Sequence, residues 1–122
     1  MGIILLVDDD TATNFYNKYI LKKNNIDCEI IALDNGLSAL EYVKNNGLPK
    51  YIFLDINMPI MDGIQFLEEA KKWAKSELEK VKVFVMMSVT LPEEKIKKLH
   101  TILKVEILNR KVLTDMDINS IF

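Results

Sequence analysis

Residues 51–63 read YIFLDINMPIMDG, and this stretch joins an apolar strand to a polar loop. The run Tyr51–Leu54 is typical of a strand that is covered on both faces of a sheet. Asp55 follows at once, and Pro59 then prevents the strand from continuing because proline has no backbone N–H to donate. A carboxylate at the end of a buried strand is costly unless it has a partner. We therefore expect Asp55 to belong to a site whose other members come from elsewhere in the chain.

The rest of the chain alternates apolar runs with helical patterns. The runs that predict strands are Ile3–Val7, Cys28–Leu33, Tyr51–Leu54, Val81–Met87 and Val105–Leu108. The apolar stripes that predict helices between them are Ala12/Phe15/Tyr16/Tyr19, Leu37/Leu40/Val43, Phe66/Leu67/Ala70/Trp73/Ala74 and Ile96/Leu99/Ile102/Leu103. Strict alternation predicts an α/β fold with a parallel sheet and helices on both faces.

Two helix starts carry a capping-box pattern, in which a hydroxyl residue is followed three positions later by an acidic one. Thr90 and Glu93 form the first, with Pro92 in the first turn of the expected helix. Thr114 and Asp117 form a weaker version before a short last helix. We expect a helix to begin at each place.

The ends of two strands point to one site. In the flavodoxin-like strand order 2-1-3-4-5, the winding direction reverses between strands one and three, and ligands bind beyond the carboxyl ends of the strands at that reversal. Those two strands are the ones that end in aspartate, as LLVDDD (5–10) and IFLD (52–55). We therefore predict a five-stranded parallel sheet in this order, with Asp8, Asp9 and Asp55 converging at its edge.

A cluster of carboxylates needs a cation. Two carboxylates about 4 Å apart repel by roughly 4 kcal/mol at an effective dielectric constant of 20. Mg²⁺ binds carboxylate and phosphate oxygens, and a carboxylate beside it can attack a phosphoryl group to form an aspartyl phosphate. The phosphoryl charge then needs a hydroxyl and a positive side chain. Ser88 after strand four, and Arg110 and Lys111 after strand five, are the candidates.

The sequence resembles the CheY-like receiver domains of two-component response regulators over nearly its whole length. The resemblance is carried by ILLVDDD (4–10), IFLDINMPIMDG (52–63), the strand that ends at Ser88 and the late lysine. It implies that Asp55 accepts a phosphoryl group, that Asp9 binds Mg²⁺ directly, and that Asp8 acts mainly through metal-bound water.

The resemblance also implies the roles of the loop residues. Asn57 would give its backbone carbonyl to the metal, Ser88 would hydrogen-bond the phosphoryl group, and Lys111 would pair with the phosphate and the acidic site. Asn57 and Thr90 lie where family members tune dephosphorylation. The protein would catalyse its own phosphorylation and dephosphorylation without being a conventional enzyme.

The partners follow from the same resemblance. A sensor histidine kinase or a phosphotransfer protein would supply the phosphoryl group, and the face formed by helix four, strand five and helix five would contact an unknown downstream protein. Direct binding of nucleic acid is not expected, because the net charge is −2 and no basic face is evident.

The chain departs from the family pattern at three places. Val112 follows Lys111 where proline is usual, so a cis bond is not expected. Leu108 stands where an aromatic residue often moves on activation, and Val89 replaces the usual alanine. Because Arg110 and Lys111 are adjacent, either residue could match the lysine that the family has after strand five, and we favour Lys111.

Two other functions remain open from the sequence. A degenerate receiver could act as a phosphorylation-independent binding module, which the departures at Leu108 and Val112 would suit. A phosphatase with an aspartyl-phosphate intermediate would suit VDDDTAT (7–13), although Ala12 stands where the threonine of that motif is expected.

The length and composition of the chain predict how many domains it forms and in which cellular compartment it lies. At 122 residues, with 49% hydrophobic and 28% charged residues, the chain is expected to form one receiver domain over residues 1–122, with no output domain. The single cysteine, Cys28, excludes an internal disulfide, and no apolar run approaches the roughly 20 residues of a membrane span. We therefore expect a cytoplasmic protein with no membrane contact.

Overall fold

Strands and helices alternate throughout the computed structural model, which describes residues 2–122. The strands are β1 (Gly2–Val7), β2 (Cys28–Leu33), β3 (Tyr51–Asp55), β4 (Lys82–Met86) and β5 (Glu106–Leu108). The helices are α1 (Thr11–Lys23), α2 (Gly36–Asn46), α3 (Gly63–Leu78), α4 (Glu93–Ile102) and α5 (Asp115–Ile121). The strands are all parallel, in the order β2-β1-β3-β4-β5, so the predicted fold class is confirmed.

The sheet divides the hydrophobic core into two halves, because successive side chains of a strand point to opposite faces. Leu5 and Val7 of β1 face the core beneath α2, α3 and α4. Ile4 and Leu6 face the other half, beneath α1 and α5. The strands therefore lie between two helical layers, which is why they read as continuous apolar runs. Among residues 2–122, no helix has the length and apolar character needed to cross a membrane.

The first helix forms where the stripe predicts it, but it buries a different face. Phe15, Tyr16 and Tyr19 are 77%, 43% and 55% exposed, whereas the buried positions of α1 are Asn14, Asn17, Ile20 and Leu21. The aromatic stripe thus predicts the helix correctly but does not mark its buried face. The two buried asparagines bond to backbone groups at the end of β2 and in neighbouring loops, and those hydrogen bonds offset the cost of burying their amides.

One of the two expected capping boxes forms. Thr114 caps α5, and its hydroxyl and the carboxylate of Asp117 exchange hydrogen bonds with each other's backbone N–H groups. At α4 the expectation is wrong, because the cap position falls on Pro92 and no side chain caps the helix. The helix begins three residues after Thr90, so the threonine lies too far from the first free N–H groups to serve them.

The loop after β3 contains one strained residue and one close approach. Ile60 has φ of 70°, and the N–H of Met61 donates to the carbonyl of Pro59 at 2.8 Å, which closes a γ-turn around Ile60. At Gly63, an added Cβ would lie 2.4 Å from the carbonyl oxygen of Asp55. The first turn of α3 therefore packs directly against the end of β3, and this contact places Asp55.

Candidate functional site

Three carboxylates meet at the carboxyl edge of the sheet. β1 ends at Val7, which is paired with Leu54 of β3, so the residues that follow these strands emerge side by side. Oxygen atoms of Asp8, Asp9 and Asp55 all lie within 4.8 Å of one another. Asp8 and Asp55 are buried and Asp9 is exposed. The structure thus brings together the three acidic residues that the sequence pattern placed at this edge.

Lys111 is the positive group of this cluster. Its Nζ atom lies 2.7 Å from Oδ1 of Asp55 and 3.0 Å from Oδ2 of Asp8. Arg110 points elsewhere and forms a two-pronged ion pair with Asp117, the residue at the third position of α5. The two neighbouring cations therefore have separate partners, and the one that reaches the acidic cluster is Lys111.

The electrostatics of the cluster follow from burial and from this lysine. Burial raises the pKa of Asp55 to about 6, with Asp8 and Asp9 adding to the rise and Lys111 opposing it. Burial alone would lower the pKa of Lys111, but its bonds to Asp55 and Asp8 outweigh that effect and raise it. Lys111 is therefore held as a cation beside a carboxylate that titrates only slightly below neutral pH.

Asp10, the third residue of the acidic triplet, has a structural role. It caps α1, and its Oδ1 accepts hydrogen bonds from the N–H groups of Ala12 and Thr13. Hydrogen bonding from Thr13 and Ala12 lowers the pKa of Asp10. A helix N-terminus favours a negative charge, so this carboxylate serves the helix.

The loop residues lie around the cluster without bonding to it. Asn57 and Ser88 follow β3 and β4, and both are exposed. Within residues 2–122, no side-chain hydrogen bond joins Asn57, Ser88 or Thr90 to the acidic cluster. Asn57 and Ser88 each lie two residues beyond the end of a strand, at the carboxyl edge of the sheet where the acidic cluster lies.

Two residues that the sequence patterns did not single out support the site. The amide of Asn14 donates to the carbonyls of Asp8 and Leu33, at 2.9 and 3.1 Å. The amide of Asn17 contacts the backbone on both sides of Val112. A signal was present, because Asn14 and Asn17 share the helical spacing of the buried Ile20 and Leu21.

The acidic cluster suits a divalent cation. Its ligand atoms are carboxylate oxygens, which hard ions such as Mg²⁺ and Mn²⁺ prefer. They lie close enough to share one ion, and Asp9 leaves the cluster open to solvent. Lys111 already neutralises part of the charge of Asp8 and Asp55, so a cation and this ammonium group would compete for the same carboxylates.

Comparison with known proteins defines the class. The family model described as the response regulator receiver domain matches residues 4–109. This chain belongs to that family of two-component signalling proteins. It is 34% identical to response regulator Rcp1 of Synechocystis over 90 residues, which are 69% of this chain and 60% of Rcp1. It is 41% identical to the chemotaxis protein CheY of Bacillus subtilis over 70 residues, which are 57% of this chain and 56% of that protein. The matches therefore span less than two thirds of the length of these relatives.

Solved structures agree with this assignment. A two-component response regulator from Cytophaga hutchinsonii superposes with a TM-score of 0.81 and 25% identity, covering 97% of this chain and 91% of that one. The Mn²⁺-bound form of Rcp1 superposes with a TM-score of 0.75 and 27% identity, covering 98% of this chain and 88% of that one. The fold and the family are thus established together.

Proposed function

We propose that this protein contains a receiver domain that accepts a phosphoryl group on Asp55. The observation that carries the proposal is the pairing of a buried aspartate at a strand end with the ammonium group of Lys111, beside two further carboxylates. Family membership supports it, because receiver domains exchange phosphoryl groups with histidine kinases or phosphotransfer proteins.

Each residue would have a distinct task in the transfer. An ionised oxygen of Asp55 would attack the phosphorus atom, the bond from phosphorus to the donor's histidine nitrogen would break, and that nitrogen would keep the electron pair. The ammonium group of Lys111 would then bind an oxygen of the attached phosphoryl group. The hydroxyl of Ser88 would donate to another oxygen, for which its loop after β4 would have to move inward.

Asp8, Asp9, Asp55 and the backbone carbonyl of Asn57 are the residues that would hold Mg²⁺. When bound, the ion would offset the charge of the phosphoryl oxygens. Rcp1 has been solved with Mn²⁺ bound, and this supports a divalent site in a relative. Mg²⁺ is proposed here because it favours a few carboxylates together with phosphate oxygens.

The proposed setting is the cytoplasm, with a sensor histidine kinase or a phosphotransfer protein as the donor. The signal would pass to a downstream protein through the face formed by α4, β5 and α5, without direct contact with nucleic acid or a membrane. Phosphorylation adds about −1.5 to −2 charges, which is enough to reorder the loops that carry Ser88 and Lys111.

The first test is incubation with acetyl phosphate and Mg²⁺, followed by intact mass measurement of the wild type and of Asp55→Asn. We expect one added phosphoryl group that requires Mg²⁺ and is absent from the variant. If no adduct forms, binding of fluoroberyllate, a stable phosphoryl mimic, separates rapid hydrolysis from incompetence. Failure of both would favour the binding-module function, which the departures at Leu108 and Val112 would suit.

A further inference from the structure

The side chain of Asn17 bridges the loop that carries Lys111. Its Nδ2 donates to the carbonyl of Lys111 at 3.0 Å, and its Oδ1 accepts from the N–H of Leu113 at 2.8 Å. Asn17 is only 4% exposed; its bond with Leu113 is buried, and its bond with Lys111 is partly buried. A single amide thus satisfies the backbone groups on either side of Val112.

Arg110 and Thr114 anchor the two ends of this loop through Asp117, but neither a proline nor a buried side chain holds it at Val112. The chain between Lys111 and Leu113 contains no proline, and no cis peptide bond occurs in residues 2–122. Val112 is 41% exposed, so its side chain provides little anchorage. Leu113 is fully buried beside Ile118 and fixes the far end of the loop, while the backbone of Lys111 itself is held by Asn17.

Asn17 is a polar residue at a core-facing position of α1. Asn17 occupies a position of the helix that faces the sheet, in line with Ile20 and Leu21, where an apolar side chain would be the simplest choice. Burying an amide there is favourable only when its polar atoms are paired. Both atoms are paired, and both partners belong to the Lys111 loop.

We propose that Asn17 is a positioning residue that holds the backbone of Lys111, so that its ammonium group reaches Asp55 and Asp8 without a proline in the loop. This inference rests on the proposed function, because Lys111 matters only if the acidic cluster binds a cation and a phosphoryl group. Asn17 would restrain the loop through hydrogen bonds from α1, whereas a proline restrains a loop by fixing its own φ angle.

Loss of Asn17 should change cation binding and phosphoryl binding differently, whereas simple destabilisation would weaken both. Lys111 and a divalent cation compete for Asp8 and Asp55, whereas Lys111 and the cation cooperate in binding a phosphoryl group. If Asn17 is lost, the ammonium group should spend less time in the site. Cation binding should then stay the same or strengthen, while binding of a phosphoryl mimic should weaken.

The variant to test is Asn17→Leu, which removes both hydrogen bonds but keeps a side chain of similar size on the core face of α1. We expect the affinity for fluoroberyllate at saturating Mg²⁺ to fall about fivefold or more, as expected for the loss of one net hydrogen bond. Calorimetry should show an unchanged or tighter Mg²⁺ affinity. Acetylation of Lys111 by a small ester reagent, followed by mass spectrometry, should become faster than in the wild type.

Asn24→Leu is the matched control. Asn24 lies at the end of the same helix, and its Nδ2 also makes two hydrogen bonds, to the carbonyl of Ile20 and to Asp115. Neither partner lies in the Lys111 loop. This variant should leave both affinities and the acetylation rate of Lys111 at wild-type values. Asn17→Ala provides a second test if Asn17→Leu does not fold.

The outcomes separate the inference from the proposed function. Unchanged fluoroberyllate affinity in Asn17→Leu would overturn the inference, as would parallel losses of Mg²⁺ and fluoroberyllate affinity. If the wild type binds neither ligand, the proposed function fails. The acetylation rate and the hydrogen exchange of the Leu113 amide then still decide whether Asn17 holds the loop, because neither measurement requires a ligand. Wild-type values for both would refute that role.

Discussion

The ammonium group of Lys111 lies 2.7 Å from a carboxylate oxygen of Asp55, although the two residues are 56 positions apart in the chain. The same group lies 3.0 Å from Asp8, so one partly buried cation serves two buried anions. Removing Lys111 would leave two buried carboxylates without a counter-charge, whereas removing Asp55 would leave Lys111 paired with Asp8. The stability of the fold and the chemistry of the site are therefore linked through Lys111.

We expect Lys111→Met to lower the free energy of unfolding by about 2 kcal/mol in a buffer with a chelator, because Asp8 and Asp55 lose their counter-charge. Millimolar Mg²⁺ should recover much of this loss, since the ion can replace the ammonium group beside the same carboxylates. Urea denaturation with and without Mg²⁺ measures both effects.

Lys97→Met is the control for that substitution. Lys97 pairs with Glu93 at 3.6 Å, but both side chains are largely exposed, and such pairs contribute little. Its unfolding midpoint should match the wild type in both buffers. A Lys111→Met protein that is as stable as the wild type without Mg²⁺ would contradict the proposed balance of charges.

Asp55→Asn should stabilise the fold at alkaline pH in the absence of metal. Burial raises the pKa of Asp55 from 3.8 to about 6, so the ionised carboxylate is the costly form in the folded state. This cost is present in full above about pH 6, shrinks as the pH falls below 6, and vanishes near pH 3.8, the pKa of Asp55 in the unfolded chain.

We expect the variant to gain about 1–2 kcal/mol at about pH 8, within the limit of roughly 3 kcal/mol that such a pKa difference sets, and to gain little at about pH 4. Denaturant titrations across this range in a chelator measure the trend. A gain that does not change with pH would show that the ionised form is not the source of the cost.

Ile60→Gly should raise the free energy of unfolding by about 1 kcal/mol. Ile60 has φ of 70°, a strained conformation that costs a residue with a Cβ about 1–3 kcal/mol and that glycine adopts readily. Its side chain is 75% exposed, so little packing is lost. Thermal unfolding measures the gain. Ile60→Val keeps the branched Cβ and should not be stabilised, and equal gains in the two variants would rule out backbone strain as the cause.

Gly63→Ala should destabilise the protein by about 2 kcal/mol, because its Cβ would lie 2.4 Å from the carbonyl oxygen of Asp55 and the first turn of α3 would have to move. Gly47→Ala is the comparison, since an added Cβ there meets nothing within 4 Å and only its φ of 86° opposes alanine. Both variants should lose stability in urea titrations. Only Gly63→Ala should also slow adduct formation with acetyl phosphate, and a normal rate would contradict the role of this contact in placing Asp55.

Much of the fold was predictable because its signals are local. Five apolar runs in alternation with helical patterns predicted the strands to within one or two residues at each end, and the two strands that end in aspartate predicted where the acidic side chains converge. The short last helix and its capping box were also predictable, since Thr114 and Asp117 lie within one turn of each other.

The errors arose where a distant group decides the outcome. On α1 the aromatic residues gave the stronger apolar stripe. Asn14 and Asn17 nevertheless face the core, because backbone groups at the end of β2 and in the loops after β1 and β5 bond to their amides. Those partners lie up to 96 residues away, and no periodicity within the helix reveals them.

Hydrophobic periodicity was sufficient to predict the order of the elements. The strand order was inferred because strands one and three end in aspartate, and this order brings Asp8, Asp9 and Asp55 together where the winding reverses. The cation that enters the cluster, in contrast, depends on contacts between distant parts of the chain. Arg110 and Lys111 are adjacent and carry the same charge, and they differ in the partners that other elements present to them. Asp117 of α5 takes the arginine, and the amide of Asn17 holds the backbone that directs the lysine to Asp55.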